Sequence, residues 1–215
     1  MKDLIIVGAS GFGREVAWLV ERINKEKKQW NLLGFIDDNE QLHGTKINGY
    51  QVLGRTADIN SFSNAFFVCA VGSSKTRERI IENLKTINPS IKFATIIDPS
   101  VEMSEYVSFG EGCIVCAHTI FTVNITVGSH VIINLDCTIG HDAIIEDFVT
   151  LYPSVNVSGS TITRRDVELG TGTQIIQGKN VGEYSIIGAG SVVVKDIPAK
   201  CTAVGCPAKP IKFHE

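Results

Sequence analysis

His141 and Asp142 are neighbours in the sequence, and their side chains together have the chemistry to move a proton. Histidine is the side chain best suited to accept a proton near neutral pH. A carboxylate beside it orients the imidazole and stabilises its protonated form. The pair therefore predicts general-base chemistry, and the alternative is an ordinary surface histidine on a turn.

Apolar residues recur at every sixth position on both sides of this pair, a spacing that neither an α-helix nor an alternating strand produces. The series consists of Ile97, Met103, Phe109, Val115, Phe121, Val127, Ile133, Ile139, Ile145, Leu151, Val157, Thr163, Leu169, Ile175, Val181, Ile187 and Val193, of which only Thr163 is polar. A second series of mostly small or β-branched residues runs two positions earlier, from Val101 to Ser191. Such a repeat is typical of a parallel β-helix, in which three hexads make one triangular coil and the large side chains point inward.

The repeat also places other residues relative to His141, whose side chain should point away from the core because it follows an inward position by two. Gly159 comes one coil, or eighteen residues, after His141. Its amide should therefore lie beside the imidazole, where a backbone N–H stabilises an oxyanion. His118 and His130 each follow an inward position by three, which predicts solvated turns, the alternative being an intersubunit cleft.

Glycines often follow the inward series directly, where we expect tight corners with positive φ. They are Gly110, Gly128, Gly140, Gly170, Gly182 and Gly188.

The residues before the repeat predict a small α/β domain. Its predicted elements are strands at 4–7, 32–36, 66–71 and 91–97 and helices at 14–28 and 75–87, with the boundary to the β-helix near Asn88-Pro89. The first strand leads into a glycine turn at Gly8–Gly13, of the kind that lets a phosphate approach a helix N-terminus. The second strand ends at Asp37-Asp38, about where such folds bind a ribose or base, and the third ends at Gly72-Ser73. Because the glycine spacing is not the dinucleotide fingerprint, the pattern favours a mononucleotide-sized site, the alternative being glycines that only permit tight turns.

Composition narrows the class of protein further. The chain has 215 residues, 44% of them hydrophobic, and a net charge of −3, which indicates a soluble protein without the basic excess of a nucleic-acid binder. We expect a cytoplasmic protein without membrane insertion, because the sequence shows neither a signal peptide nor an apolar run of about 20 residues. The six cysteines lack the spacing of a disulfide framework or a zinc site, so we expect structural thiols and no metal.

Several motifs, in their order along the chain, resemble the sialic acid O-acetyltransferase family, which includes sugar-nucleotide 4-amino N-acetyltransferases of the bacillosamine and perosamine type. The motifs are Gly8-Ala9-Ser10-Gly11-Phe12-Gly13, Gly34-Phe35-Ile36-Asp37-Asp38, Ala70-Val71-Gly72, Ile133-Asn134, Gly140-His141-Asp142, Ile187-Gly188-Ala189-Gly190-Ser191-Val192-Val193 and Val204-Gly205-Cys206-Pro207-Ala208-Lys209. The resemblance implies a homotrimer of α/β plus β-solenoid chains that hold acetyl-CoA between neighbouring β-helices. The expected domains are a Rossmann-like sugar-nucleotide-binding domain at 1–90, a left-handed β-helix acyltransferase domain at 91–197, and a tail at 198–215 that contributes to the acetyl-CoA site.

The residue patterns and the resemblance together give a set of expected site residues. The catalytic residues are His141 as the base, Asp142 as its acidic partner, Asn134 as a sugar contact implied by the resemblance, and Gly159 as the oxyanion donor. The sugar-nucleotide site would comprise Gly8, Ser10, Gly11, Phe12, Gly13, Asp37, Asp38, Gly72 and Ser73, and the acetyl-CoA site Gly188, Ala189, Gly190 and Lys209. A histidine that some N-acetyltransferase members have nine residues after the base is replaced here by Thr150, which leaves the acceptor open.

The predicted function is acetyl transfer from acetyl-CoA to the 4-amino group of a UDP- or dTDP-linked amino-deoxy sugar, in the biosynthesis of bacterial surface glycans such as lipopolysaccharide O-antigen. His141 would act as general base in a direct transfer without a covalent intermediate. Candidates for the CoA phosphates are Arg164, Arg165, Lys179 and Lys209. The alternatives are an O-acetyltransferase acting on sialic acid or another sugar hydroxyl, and a non-enzymatic nucleotide-binding scaffold. The nucleotide base, with GDP included, and the sugar configuration stay open.

Overall fold

The computed structural model of the chain describes residues 1–214. Its N-terminal part contains β1 (Lys2–Val7), helix α1 (Gly11–Glu26), β2 (Trp30–Ile36), β3 (Lys46–Ile47), β4 (Tyr50–Gly54), β5 (Phe66–Cys69), helix α2 (Ser74–Ile87) and β6 (Lys92–Phe93), with 3-10 helices at Glu40–Leu42 and Thr56–Phe62. These strands form one sheet of order β3-β4-β2-β1-β5-β6. The pairs are parallel except for the β3–β4 hairpin.

The helices pack on this sheet through the apolar face that the sequence predicts. In α1 the residues Val16, Leu19, Val20 and Ile23 are buried, because positions three and four apart share one side of a helix. The β3–β4 hairpin was not predicted. Its signal is the dipeptide Asn48-Gly49, in which both residues have positive φ and which is the strongest short-range sign of a two-residue hairpin turn.

The rest of the chain winds into a three-sided parallel β-helix. Face 1 consists of β7 (Ile96–Ile97), β10 (Ile114–Val115), β13 (Ile132–Ile133), β16 (Thr150–Leu151), β19 (Glu168–Leu169), β22 (Ile186–Ile187), β24 (Cys201–Val204) and β25 (Lys209–Phe213). Face 2 consists of β8 (Glu102–Met103), β11 (Ile120–Phe121), β14 (Thr138–Ile139), β17 (Asn156–Val157), β20 (Gln174–Ile175) and β23 (Val192–Val193). Face 3 consists of β9 (Val107–Phe109), β12 (Ile125–Val127), β15 (Ile144–Ile145), β18 (Ile162–Thr163) and β21 (Asn180–Val181). The predicted fold class, an α/β domain followed by a β-solenoid, is confirmed.

The coils stack with the predicted step. Val115 pairs with Ile133, and Ile133 pairs with Leu151, so the inward series forms continuous ladders that are buried from Val115 to Val193. The last coil is two residues shorter, because Ile186 pairs with Thr202. Part of the predicted tail at 198–215 therefore continues face 1 as β24, and β25 then folds back antiparallel to it.

The predicted strand at 91–97 is wrong, because the chain forms two short strands there. β6 pairs with β5 in the N-terminal sheet, whereas β7 pairs with β10 in the β-helix. The change from one sheet to the other therefore takes place at 94–95, slightly after the predicted boundary at Asn88-Pro89 and the predicted domain limit at 90.

The expectation of positive φ at the glycines that directly follow the inward series is also wrong. The left-handed conformation occurs two residues later, for example at Asn124 (φ 56°), Asp136 (φ 60°) and Asp142 (φ 59°). The glycines are required for a different reason, which is the close approach of the next coil. A Cβ at Gly140 would lie 2.5 Å from the amide nitrogen of Gly159, a distance that no side chain tolerates.

The N-terminal domain covers part of face 1. Side chains of α1 share one core with Ile96, Ile114 and Ile132, and the Arg22 guanidinium on the same helix pairs with the buried carboxylate of Asp98 at 2.6 Å. This docking buries His130, which is only 1% exposed. The prediction of a solvated turn at His130 is therefore wrong, whereas His118 is exposed as expected.

Candidate active site

His141 lies at the edge between faces 2 and 3, and its side chain is 50% exposed, as predicted. Asp142 occupies the left-handed corner position with φ 59°, a conformation that aspartate tolerates better than most residues. The corner leaves both side chains outside the core and close together. Asp142 Oδ2 lies 2.8 Å from His141 Nδ1, so the carboxylate fixes the ring orientation and Nε2 remains to take part in chemistry.

Asn124 extends this arrangement into the preceding coil. Its Nδ2 donates a hydrogen bond to Asp142 Oδ1 at 3.3 Å. The bond from His141, and after it the bond from Asn124, hold the pKa of Asp142 below its usual value. Asn124 was not among the predicted residues, although it precedes Asp142 by one coil and the stacking that identified Gly159 would have found it.

Gly159 lies directly beside the imidazole. A Cβ at this position would come within 2.5 Å of His141 Nε2 and 2.6 Å of Cε1, so glycine leaves the space that the ring occupies. Within residues 1–214, the Gly159 amide donates no hydrogen bond. The structure therefore places Gly159 beside Nε2, with an amide that donates to no described residue.

Asn134 lies elsewhere on the β-helix. It directly follows β13, at the edge between faces 1 and 2, and its Oδ1 accepts a hydrogen bond from the Leu135 amide at 2.8 Å. His141 is at the opposite end of face 2. A single chain therefore does not bring Asn134 and His141 together.

The predicted acetyl-CoA residues share the edge of Asn134. Gly188–Gly190 directly follow β22, and the loop at 204–209 is attached beside them, because Val192 donates to the Gly205 carbonyl and Ala208 donates to the Val192 carbonyl. A Cβ at Gly188 would lie 2.7 Å from Val204 Cγ1, whereas Gly190 faces open space. The structure thus brings Gly188, Ala189, Gly190 and the exposed Lys209 to one end of the β-helix.

The first glycine turn presents an open helix N-terminus. Gly8 has a φ of 101°, and a Cβ at Gly13 would lie 2.1 Å from the Gly8 carbonyl oxygen, so both residues are needed for the helix to start this close to β1. Ser10 at the N-cap makes no side-chain cap. The first amides of α1, at Gly11 and Phe12, can therefore bind an anion such as a diphosphate.

Asp37 holds this turn in place, whereas its neighbour Asp38 binds Thr56. Asp37 Oδ2 accepts a hydrogen bond from the Ala9 amide at 2.8 Å, which joins the end of β2 to the glycine turn. Asp38 Oδ1 accepts the Thr56 amide at 2.9 Å and also the Thr56 hydroxyl. Both carboxylates thus already accept hydrogen bonds from other residues of the N-terminal domain.

The second turn, at Gly72 and Ser73, faces the β-helix instead. Thr150 Oγ1 donates to the Gly72 carbonyl at 2.7 Å, and Glu168 Oε1 accepts the Ser74 amide at 2.8 Å. A carboxylate of the β-helix therefore already occupies the N-terminus of α2. A cleft of about 570 Å³ opens beside Ser73; it is lined by Ser73, Ser74, Lys75, Asp166, Glu168, Tyr184, Ile186, Lys200 and His214.

The remaining candidate groups differ in availability. Arg164 pairs with Glu146 at 2.7 Å, and Arg165 pairs with Glu78, so neither guanidinium is free to bind a phosphate without breaking an ion pair. Cys137 is buried, and burial raises the pKa of its thiol to about 12, which disfavours the thiolate form that a nucleophile needs. Cys206 is exposed.

Comparison with known proteins finds one family match in the N-terminal domain and structural matches over nearly the whole chain. Residues 3–84 match the family described as the PglD N-terminal domain. The acetyltransferase domain of PglB from Neisseria gonorrhoeae, solved with acetyl coenzyme A, is 29% identical, with a TM-score of 0.86 over 98% of this chain and 99% of that one. A mutant of perosamine N-acetyltransferase from Caulobacter crescentus, solved with CoA and GDP-perosamine, is 23% identical and has a TM-score of 0.88 over 99% of this chain and 98% of that one; this likeness shows the fold. The resemblance to hexapeptide-repeat sugar-nucleotide acetyltransferases is confirmed.

Curated relatives match shorter segments. The dTDP-3-amino-3,6-dideoxy-alpha-D-galactopyranose 3-N-acetyltransferase of Aneurinibacillus thermoaerophilus is 43% identical over 51 residues, which are 24% of this chain and 27% of that protein. The chain spans about a quarter to a third of the length of the curated relatives it matches, with 24%, 30% and 32% in three cases.

Two further observations concern the part of the chain that the structure describes. None of its helices has the length and apolar character to cross a bilayer. It also contains no group of three or more histidine, cysteine, aspartate or glutamate side chains placed to hold a metal ion.

Proposed function

We propose that the protein is an acetyl-CoA-dependent N-acetyltransferase that acts on the 4-amino group of a nucleotide-linked amino-deoxy sugar. The observation that carries this proposal is the group at the edge of faces 2 and 3. His141 is oriented by Asp142, and its Nε2 lies beside a glycine whose amide donates to no described residue. A positioned base next to an available N–H donor is the arrangement that acyl transfer requires.

In the proposed mechanism the sugar amine attacks the thioester carbonyl directly. His141 Nε2 takes the proton that the amine loses as the new C–N bond forms, and Asp142 stabilises the resulting imidazolium. The Gly159 amide donates to the oxyanion of the tetrahedral intermediate. When the C–S bond breaks, CoA leaves as a thiolate and receives the proton from the imidazolium, so that the base returns to its starting state.

We propose that the active unit is a homotrimer. The support is the separation of the site within one chain, since His141 and Gly159 lie on one edge of the β-helix while Asn134, Gly188 and Gly190 lie on another. Flat faces of β-helices commonly pack against copies of themselves. A neighbouring protomer would bring the second edge against the first and complete the site.

The N-terminal domain favours a nucleotide-linked acceptor over a free sugar. Its open α1 N-terminus suits a diphosphate, and a relative with 43% local identity is named for transfer to a dTDP-linked amino sugar. We propose a UDP- or dTDP-linked substrate made in the cytoplasm for bacterial surface glycans. Transfer to a sugar hydroxyl is the second candidate, because Thr150 stands where some N-acetyltransferases have a histidine.

The direct test is an acetyl-transfer assay. The protein is incubated with acetyl-CoA and a panel of UDP-, dTDP- and GDP-linked 4-amino-6-deoxy sugars, and CoA release is compared with the mass of the product. The expected result is one acetyl group added per CoA released, on the amine, with a 4-hydroxy analogue unreactive. Transfer to free sialic acid alone would favour the O-acetyltransferase, and no CoA release with any acceptor would refute the enzyme.

A further inference from the structure

The side chain of Arg77, on the first turns of α2, is buried between the two domains. Only 1% of the residue is exposed. Its Nε donates to the His130 carbonyl at 2.8 Å, one terminal nitrogen donates to the Val71 carbonyl at 2.8 Å and the Gly72 carbonyl at 3.1 Å, and the other donates to the Phe148 carbonyl at 2.6 Å. A longer bond of 3.2 Å reaches the Val149 carbonyl.

The partners of Arg77 are unusual because every one of these bonds ends on a backbone carbonyl. Buried guanidinium groups ordinarily pair with a carboxylate. Here the five donors of a rigid planar fork join two successive coils of the β-helix, at His130 and Phe148, to the end of β5. The fork therefore fixes a distance between backbones rather than balancing a charge.

The residues that follow β5 connect Arg77 to the glycine turn that we expect to bind the nucleotide. Gly72 accepts hydrogen bonds from both Arg77 and Thr150. The adjoining strand end packs on the nucleotide turn, since a Cβ at Gly8 would lie 3.2 Å from the Ala70 carbonyl oxygen and 3.3 Å from Val71 Cγ2. A shift of the Gly72 turn relative to the β-helix would thus move the Gly8 turn with it.

We propose that Arg77 is a positioning residue that holds the nucleotide-binding turns at a fixed place on the β-helix, and so sets the affinity for the nucleotide sugar. This inference rests on the proposed function. It implies that Arg77 acts on the nucleotide site and not on the acetyl-CoA residues, which lie on later coils attached to β22 and β24. Misplacement of a bound group by about 1 Å is enough to lower a rate by about a hundredfold.

The test compares Arg77→Lys and Arg77→Met with Arg22→Met. Lysine keeps the charge but lacks the fork, so it cannot reach both coils and the Gly72 turn together. Arg22 is the matched control, because it also bridges the domains, through two hydrogen bonds to Asp98, but at the other end of the interface. Binding of UDP, dTDP, GDP and CoA is measured by calorimetry, and KM for both substrates by the transfer assay.

In Arg77→Lys we expect the Kd for the preferred nucleotide, and KM for the nucleotide sugar, to rise at least about tenfold. The Kd for CoA should stay within about twofold, and Arg22→Met should leave both affinities within about twofold. If Arg77→Met does not fold, Arg77→Lys decides. Unchanged nucleotide affinity in Arg77→Lys, or an equal loss for nucleotide and CoA, would overturn the proposal.

Nucleotide binding separates this inference from the proposed function. If the unchanged protein binds a nucleotide but transfers no acetyl group, the proposed function fails and the effect of Arg77→Lys on binding still decides the role of Arg77. If the unchanged protein binds none of the three nucleotides, the inference about Arg77 is overturned as well.

Discussion

Two corners of the same β-helix hold a histidine and have opposite fates. His141 is half exposed, next to a left-handed Asp142, whereas His130 itself occupies the left-handed position (φ 57°) of another corner and is buried. Its ring stacks on Phe148 at a centroid distance of 5.2 Å and meets the edge of Phe93 at 4.7 Å. The left-handed residue has nearly the same φ at the two corners, 59° at Asp142 and 57° at His130. The two histidines differ in their position in the corner and in whether the N-terminal domain covers them, which it does at His130.

The comparison shows that different edges of one β-helix can hold a candidate active site and a domain interface. At the edge between faces 2 and 3, the half-exposed His141 has the carboxylate of Asp142 and the backbone of Gly159 beside it. The edge between faces 3 and 1 lies under α2, and there the histidine fills an aromatic pocket. The same residue type thus serves as a candidate base on one edge and as packing on the other.

The largest effect that would test this contrast is expected from His141→Ala. Loss of a general base typically lowers turnover by about 10²–10⁴-fold, so kcat should fall at least about a hundredfold. His118→Ala is the control, because His118 is exposed at a corner with φ 62°, and it should retain kcat within about twofold. Steady-state assays measure kcat, and gel filtration checks that the assembly is unchanged. Near-normal turnover in His141→Ala would remove His141 from the mechanism.

The buried corner should instead control stability against acid. Burial lowers the pKa of His130 to about 4, whereas an unfolded histidine titrates near 6.5. Between these values the unfolded chain binds a proton at this histidine that the folded chain does not, so the contribution of His130 to stability falls as pH decreases from about 6.5 to about 4. The shift corresponds to a loss of roughly 3 kcal/mol.

The substitution that isolates this effect is His130→Asn, since asparagine tolerates positive φ and does not titrate. We expect the unfolding free energy of His130→Asn to depend less on pH between 6.5 and 4, while His118→Asn keeps the full slope. Urea unfolding at several pH values and one protein concentration measures this pH dependence in each variant. The same slope in His130→Asn and the unchanged protein would show that another group is responsible.

A smaller effect on activity is expected at the open corner from Asp142→Asn. The amide cannot stabilise an imidazolium as the carboxylate does, so kcat should fall about tenfold, which corresponds to about 1.4 kcal/mol. Asn124→Ala removes only the 3.3 Å bond to Asp142 and should lower kcat in the same direction by less. Single-turnover rates at saturating acetyl-CoA measure the losses in both variants. A larger loss in Asn124→Ala than in Asp142→Asn would contradict the order of contacts.

The periodicity predicts what lies inside and what stacks on what, because these depend on the repeat alone. It therefore predicts the exposure of His141 and its contact with Gly159. It failed for His130 and gave no sign of Arg77, because their burial depends on how the N-terminal domain docks, which no repeat encodes. The wrong prediction of positive φ at the glycines has a similar origin. Glycine is required at Gly140 because the next coil leaves no space for a Cβ, and not because of the φ of Gly140.

The smallest effect concerns Thr163, the single polar member of the inward series. Its hydroxyl is buried on face 3, and within residues 1–214 Oγ1 has no hydrogen-bond partner. A buried polar group without a partner costs about 1–3 kcal/mol, so Thr163→Val should raise the free energy of unfolding by about 1 kcal/mol. Thr161→Val is the matched control, because the equally buried Thr161 Oγ1 donates to the Ser158 carbonyl at 2.7 Å, and its loss should lower stability. Urea unfolding of both variants at equal protein concentration measures the two changes. A loss of stability in Thr163→Val, like that in Thr161→Val, would mean that the hydroxyl of Thr163 is satisfied within the β-helix core.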